Sequence, residues 1–161
     1  MGWKGINIEP HKAKFNKLVA TRPKDNNLNI GIANKDGSLT YYETIPDTHS
    51  TFTEEGIINN DNKYVKLHQK LQIPVKKLSS VLTTAKVTNI DFMSIDTEGF
   101  DLEVLKSNDW EKYRPTIICI EINKGYTPIH EFLKSVDYIE IFNNDLNSLF
   151  ITTREQLWVK E

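Results

Sequence analysis

The chain has 161 residues, enough for one domain with a sizeable core, and its 20 Lys and Arg against 22 Asp and Glu leave a net charge of −2. That balance excludes the basic footprint of a nucleic-acid binder and an acidic tail. Cys119 is the single cysteine, so there is no intrachain disulfide framework, and the sequence has neither a long apolar run nor a secretory leader, which together suggest a soluble cytoplasmic protein with no membrane partner.

Ile6 and Ile8 alternate with Asn7 in a short strand ending at Glu9, and Pro10 suits the first turn of the helix that follows. Phe15, Leu18 and Val19 give that helix one apolar stripe, and Arg22 and Pro23 end it. Residues 28–33 read as a second strand. The turn at 34–37, with Asp36 before Gly37, leads into Leu39 to form a hairpin off one edge. Residues 45–70 are polar without a sustained period, which predicts a long surface excursion or lid. The Asn-rich run at 59–63 within them reads as compositional bias.

Leu78, Val81 and Leu82 then form a helical stripe after Pro74. Residues 90–96 and 116–121 are near-continuous apolar runs, as expected of parallel strands covered on both faces. Between them Phe100, Leu102, Val104 and Leu105 make a helix face, with Asp101 and Glu103 near its positive start and Lys106 near its negative end. A helix near 129–134 precedes two strands, 138–142 and 149–151, around a turn-rich 143–148 segment. The pattern is α/β: a mostly parallel sheet with an antiparallel C-terminal hairpin, in a single domain spanning 1–161.

In such sheets ligands sit outside the carboxyl ends of the strands, so acids at those ends are the candidates. Glu9 is placed to accept hydrogen bonds from both hydroxyls of a ribose; the alternative is an acid that satisfies a helix start. Asp96 and Glu98 flank Thr97 before Gly99, and a period of two would point both carboxylates one way. Such a pair could orient an alcohol, take its proton or hold a divalent cation, or it could cap the next helix. Glu121 ends the neighbouring strand as a third acid, and His49 lies in the polar excursion beside Ser50 and Thr51, where it could act as a base or be merely solvated. No nucleophilic triad, zinc spacing, phosphate loop or G-x-G-x-x-G is present.

In order along the chain, the 2–10 segment ending in Glu9, residues 28–42, Ser50-Thr51-Phe52, the 90–99 stretch with Asp96 and Glu98, and Trp110 followed by Arg114, Pro115 and Glu121 resemble the FkbM family of S-adenosylmethionine-dependent methyltransferases. The resemblance implies a Rossmann-like methyltransferase fold, S-adenosylmethionine as donor, and transfer of a methyl group to a hydroxyl on a sugar or other small molecule. Carried over, Glu9, Asn7, Ala33 and Asp96 lie on the cofactor side, Asp96, Glu98 and His49 on the catalytic side, and Ser50, Thr51 and Glu121 on the acceptor side. A divalent metal is compatible with the acids and not expected.

Family members carry a first strand and an Asp/Gly-rich turn before the segment that here follows Met1. The resemblance therefore covers the last two thirds of the family's domain and predicts unpaired inner sheet edges, with self-association or completion by a missing N-terminal segment. Two other readings stand beside it: a non-catalytic, partner-binding module with a methyltransferase-like fold, and a divalent-metal hydrolase built on Asp96, Glu98 and Glu121.

Overall fold

A computed structural model of the chain describes residues 2–54, 57, 64–121 and 126–154. The first strand, β1 (Ile6–Ile8), leads through α1 (Lys12–Thr21) to β2 (Asn26–Leu28), and the two strands pair in parallel. Helix α1 starts two residues later than Pro10 suggests, because the His11 ring caps it by accepting the Lys14 N–H. Its stripe is shallow, with no residue fully buried and Val19 exposed.

The strand expected over 28–33 is two strands. Asn29 breaks it by donating its side-chain amide to the carbonyls of Glu9 and Pro10. The chain then changes partner, and β3 (Gly31–Ile32) runs parallel to β5 (Lys66–Lys76). The expected hairpin does not form between β3 and β4 (Gly37–Ile45), because β5 lies between them in the order β3-β5-β4. Part of the expected excursion is therefore strand. It has little apolar alternation because β5 is solvated over most of its length and is held by its antiparallel backbone ladder to β4. Of the same stretch, Asp47–His49 form a 3₁₀ turn, and residues 55–56 and 58–63, which include the Asn-rich run, lie outside the described residues.

After β5, α2 (Leu78–Thr84), β6 (Phe92–Ile95), α3 (Asp101–Lys106), β7 (Ile117–Glu121), α4 (Tyr126–Ser135), β8 (Tyr138–Asn143) and β9 (Asn147–Thr152) follow the expected alternation. They build a four-stranded sheet in the order β6-β7-β9-β8, parallel between β6 and β7 and antiparallel beyond. The closing hairpin is as expected, but the sheets are mixed rather than mostly parallel: among the described residues three strand pairs are parallel and three antiparallel.

The core lies on one face of this sheet. Ile95, Ile118, Ile120, Tyr138 and Phe150 meet Leu78, Val81, Leu82, Val104, Leu105, Ile129 and Leu133 from the three helices. Trp110 closes the end, its indole N–H donating to the Leu105 carbonyl at 2.9 Å. The opposite face is open among the described residues, contrary to the expectation of cover on both sides. Phe92, Ile117, Ile151 and Ile139 are neighbours in one cross-strand row, with Phe92 and Ile139 47% and 53% exposed. Strands β1 and β6 each pair on one side only among the described residues. No helix among them is long and apolar enough to cross a membrane.

Candidate functional site

The site forms where β6 runs out into the turn at 96–99. Glu98 and Gly99 both have left-handed backbones, with φ of 53° and 93°. Gly99 adopts this freely, whereas a non-glycine residue there costs about 1–2 kcal/mol and persists only if its surroundings hold it. Two fully buried residues do so. Asp101, with no exposed surface, accepts the Thr97 N–H at 3.0 Å and the Gly99 N–H at 3.3 Å, and Thr51, 1% exposed, donates its hydroxyl to the Glu98 carbonyl at 3.0 Å. Asp101 thus braces the turn rather than the helix, and since the N-cap of α3, Phe100, has no side-chain cap bond, neither Asp96 nor Glu98 serves as a cap there.

Asp96, Glu98 and, from the end of β7, Glu121 bring one carboxylate oxygen each to within 4.8 Å of one another. Three negative charges this close cannot all ionise at their ordinary pKa. Burial first, and then the charges of Asp96 and Glu98, raise Glu121 to about 7. Burial and Asp96 also raise Glu98, against the lowering influence of His49, whose Nδ1 lies 3.8 Å from Glu98 Oε2. A cluster that keeps one proton near neutral pH can take or give a proton without a strong base elsewhere. The same three oxygens could ligate a divalent cation.

Glu9, at the end of β1, is half buried, and burial raises its pKa. One of its oxygens accepts the His11 N–H at 2.8 Å, which is the helix-start role; the other takes no hydrogen bond among the described residues. Lys14 links the two ends of the site. Its ammonium donates to the Asp47 carbonyl, and its charge lowers the pKa of both Glu9 and Glu98. Tyr41 is buried, and burial together with the Glu9 charge pushes its phenol well above the usual range, so it is a neutral hydroxyl in this neighbourhood. Lys14 and Tyr41 gave no sequence signal, since a lysine on a helix and an aromatic in a strand are ordinary there.

Other sequence candidates are occupied within the fold. The Asn7 side-chain amide donates to Asp25 and Asn27, Ala33 is 2% exposed with its N–H donating to Lys76, and the Ser50 hydroxyl accepts the Thr44 N–H at 3.1 Å. His11, which sequence gave little weight, is buried, and its Nε2 lies 2.8 Å from Glu43. Because its Nδ1 accepts the Lys14 N–H, the ring proton sits on Nε2 and points at that carboxylate. His130 instead faces Glu140, at 3.7 Å.

What seats the His49 segment on the sheet is aromatic packing. Phe52 lies between Tyr41 and Phe100, with ring centroids 4.9 Å and 5.6 Å away, and its ring covers the bare backbone of Gly31. A Cβ on Gly31 would sit 2.4 Å from that ring. Gly31→Ala should therefore lower stability by about 1–3 kcal/mol through overpacking and displace Phe52. Urea denaturation would show the loss, and an unchanged midpoint would mean that the ring moves aside at no cost.

The family model for the methyltransferase FkbM domain matches residues 1–141 of the chain. No curated protein and no solved structure gives a significant match.

Proposed function

The chain belongs to the FkbM methyltransferase family, and from that premise we propose that it moves a methyl group from S-adenosylmethionine to a hydroxyl of a small molecule or glycan. The observation that carries this reading is the convergence of Asp96, Glu98 and Glu121 at the ends of two adjacent parallel strands. When bound, S-adenosylmethionine supplies a methyl group already activated on a sulfonium sulfur. The chain's own residues then have to align the acceptor oxygen and remove its proton.

Glu9 would hold the ribose, since a half-buried carboxylate at a strand end, with one oxygen unengaged among the described residues, fits a vicinal diol. Asp96 and Glu98 would orient the acceptor hydroxyl, with His49 beside Glu98. Glu121 would take the hydroxyl proton as the carbon–oxygen bond forms, because a group with a pKa of about 7 is half ionised at neutral pH and basic enough to matter. The methyl group leaves sulfur for oxygen, the proton goes to the carboxylate, and S-adenosylhomocysteine is the other product.

Calorimetric titration with S-adenosylhomocysteine tests the cofactor half of this reading. Micromolar binding is expected, weakened about tenfold or more in Glu9→Ala through loss of a charged hydrogen-bond acceptor. A folded chain that binds nothing would sink the proposal. It would favour a partner-binding module of the same fold, a reading supported by the strand edge of β6 that pairs with nothing among the described residues.

A further inference from the structure

We propose that the Thr51 hydroxyl is a positioning group that ties the segment bearing His49 to the turn bearing Glu98 and so sets the contact between those two side chains. Thr51 lies two residues after His49, and its own backbone is fixed to β4: its N–H donates to the Tyr42 carbonyl at 3.1 Å and its carbonyl accepts the Tyr42 N–H at 2.8 Å. A threonine hydroxyl has one proton to donate. That proton goes to the Glu98 carbonyl at 3.0 Å, while the oxygen accepts the Thr53 N–H at 3.2 Å. With the side chain 1% exposed, both capacities are used inside the fold, so Thr51 serves the site through Glu98 rather than by touching an acceptor.

The bond acts on the part of the turn that most needs holding. Glu98 is the non-glycine residue with a left-handed backbone in this turn, and its carbonyl is the atom that Thr51 grips. Asp101 holds the flanking N–H groups of Thr97 and Gly99 from the other side. Without the Thr51 bond, the peptide after Glu98 loses its carbonyl anchor and keeps the longer Gly99 N–H bond to Asp101, at 3.3 Å, which lets it turn toward the ordinary right-handed region. That rotation would swing the Glu98 carboxylate away from His49, which it now approaches to 3.8 Å. The apolar contact of Phe52 with Phe100 is independent of the hydroxyl and keeps the segment docked.

The test compares Thr51→Val, which keeps the shape and removes the donor, with Thr51→Ser, which keeps the donor. Nuclear magnetic resonance reads the Glu98 φ from its amide–α-proton coupling, and reads the His49–Glu98 contact from the Overhauser effect between the ring and the glutamate side chain. Thr51→Val should lose both signals and Thr51→Ser should keep both. The inference rests on the methyltransferase reading only for its activity arm: kcat should fall roughly tenfold to a hundredfold in Thr51→Val with KM for S-adenosylmethionine unchanged. Should Thr51→Val not fold, Thr51→Cys, a weak donor of nearly the same size, replaces it under the same criteria. A valine or cysteine variant that melts earlier yet keeps the left-handed Glu98 and the His49 contact would overturn the proposal, as would a serine variant that loses them. The resonance signals are independent of cofactor binding, so failure of the methyltransferase reading would leave this test intact.

Discussion

Glu121→Gln should lower the rate of methyl transfer by about 10²–10⁴-fold, the usual contribution of a positioned general base. Glutamine keeps the size of the side chain and its place at the end of β7 but cannot accept the proton. Because the last proton of the three-acid cluster leaves at about pH 7, the wild-type rate should rise with pH up to that point and then level off, and the variant should lose this limb. A wild-type rate flat between about pH 6 and 8, or a glutamine variant with near-normal turnover, would remove Glu121 from the mechanism and turn attention to His49.

The same titration has a consequence for stability, of opposite direction. A carboxyl whose pKa is raised from 4.5 to about 7 on folding binds its proton more tightly in the folded chain. Its stabilising contribution is therefore present below about pH 4.5 and is lost as pH rises to 7. Because the group is only partly buried, solvent screening holds that contribution to about 1 kcal/mol rather than the full linkage value. The chain thus gains activity over the pH range in which this group gives up stability. Glu121→Gln should flatten both profiles, and melting curves across the range would check the second.

The second large effect is expected at Asp101. Asp101→Ala removes the acceptor of two backbone N–H groups from a site with no solvent access. Leaving buried donors unpaired costs about 1–3 kcal/mol each, so stability should fall by about 2–6 kcal/mol in urea. Since the turn at 96–99 would relax, the cluster should also disperse, and Glu121 should titrate closer to an ordinary carboxylate. A variant that loses less than about 1 kcal/mol would mean that water or another group takes over both donors. Asp101→Asn, which keeps one acceptor oxygen, should fall between the two.

The acids of the cluster were legible in the sequence because they end apolar runs. Asp96 follows the run that becomes β6 and Glu121 closes the run that becomes β7, and in a parallel pair such ends lie side by side. The alternation of strands and helices from Leu78 onward and the closing hairpin were legible for a similar reason: each element buries a face whose period its residues display. The family itself was readable from five short segments in order, and residues 1–141 match its model.

Tertiary structure alone decided the rest, since it depended on partners distant in the chain. β5 has few apolar residues with which to announce a strand, and it exists because β4 offers a backbone ladder across twenty intervening residues. The break in the strand expected over 28–33 came from the Asn29 amide reaching the carbonyls beyond β1. The roles of Thr51 and Asp101 were equally hidden. A threonine in a polar stretch and an aspartate in a first helical turn look like surface residues until the fold buries both around a left-handed glutamate. From sequence, Glu98 could be a cap or a functional acid. Among the described residues no side chain caps the helix that follows; Asp101 instead holds the N–H groups of the turn, and Glu98 and Asp96 meet Glu121.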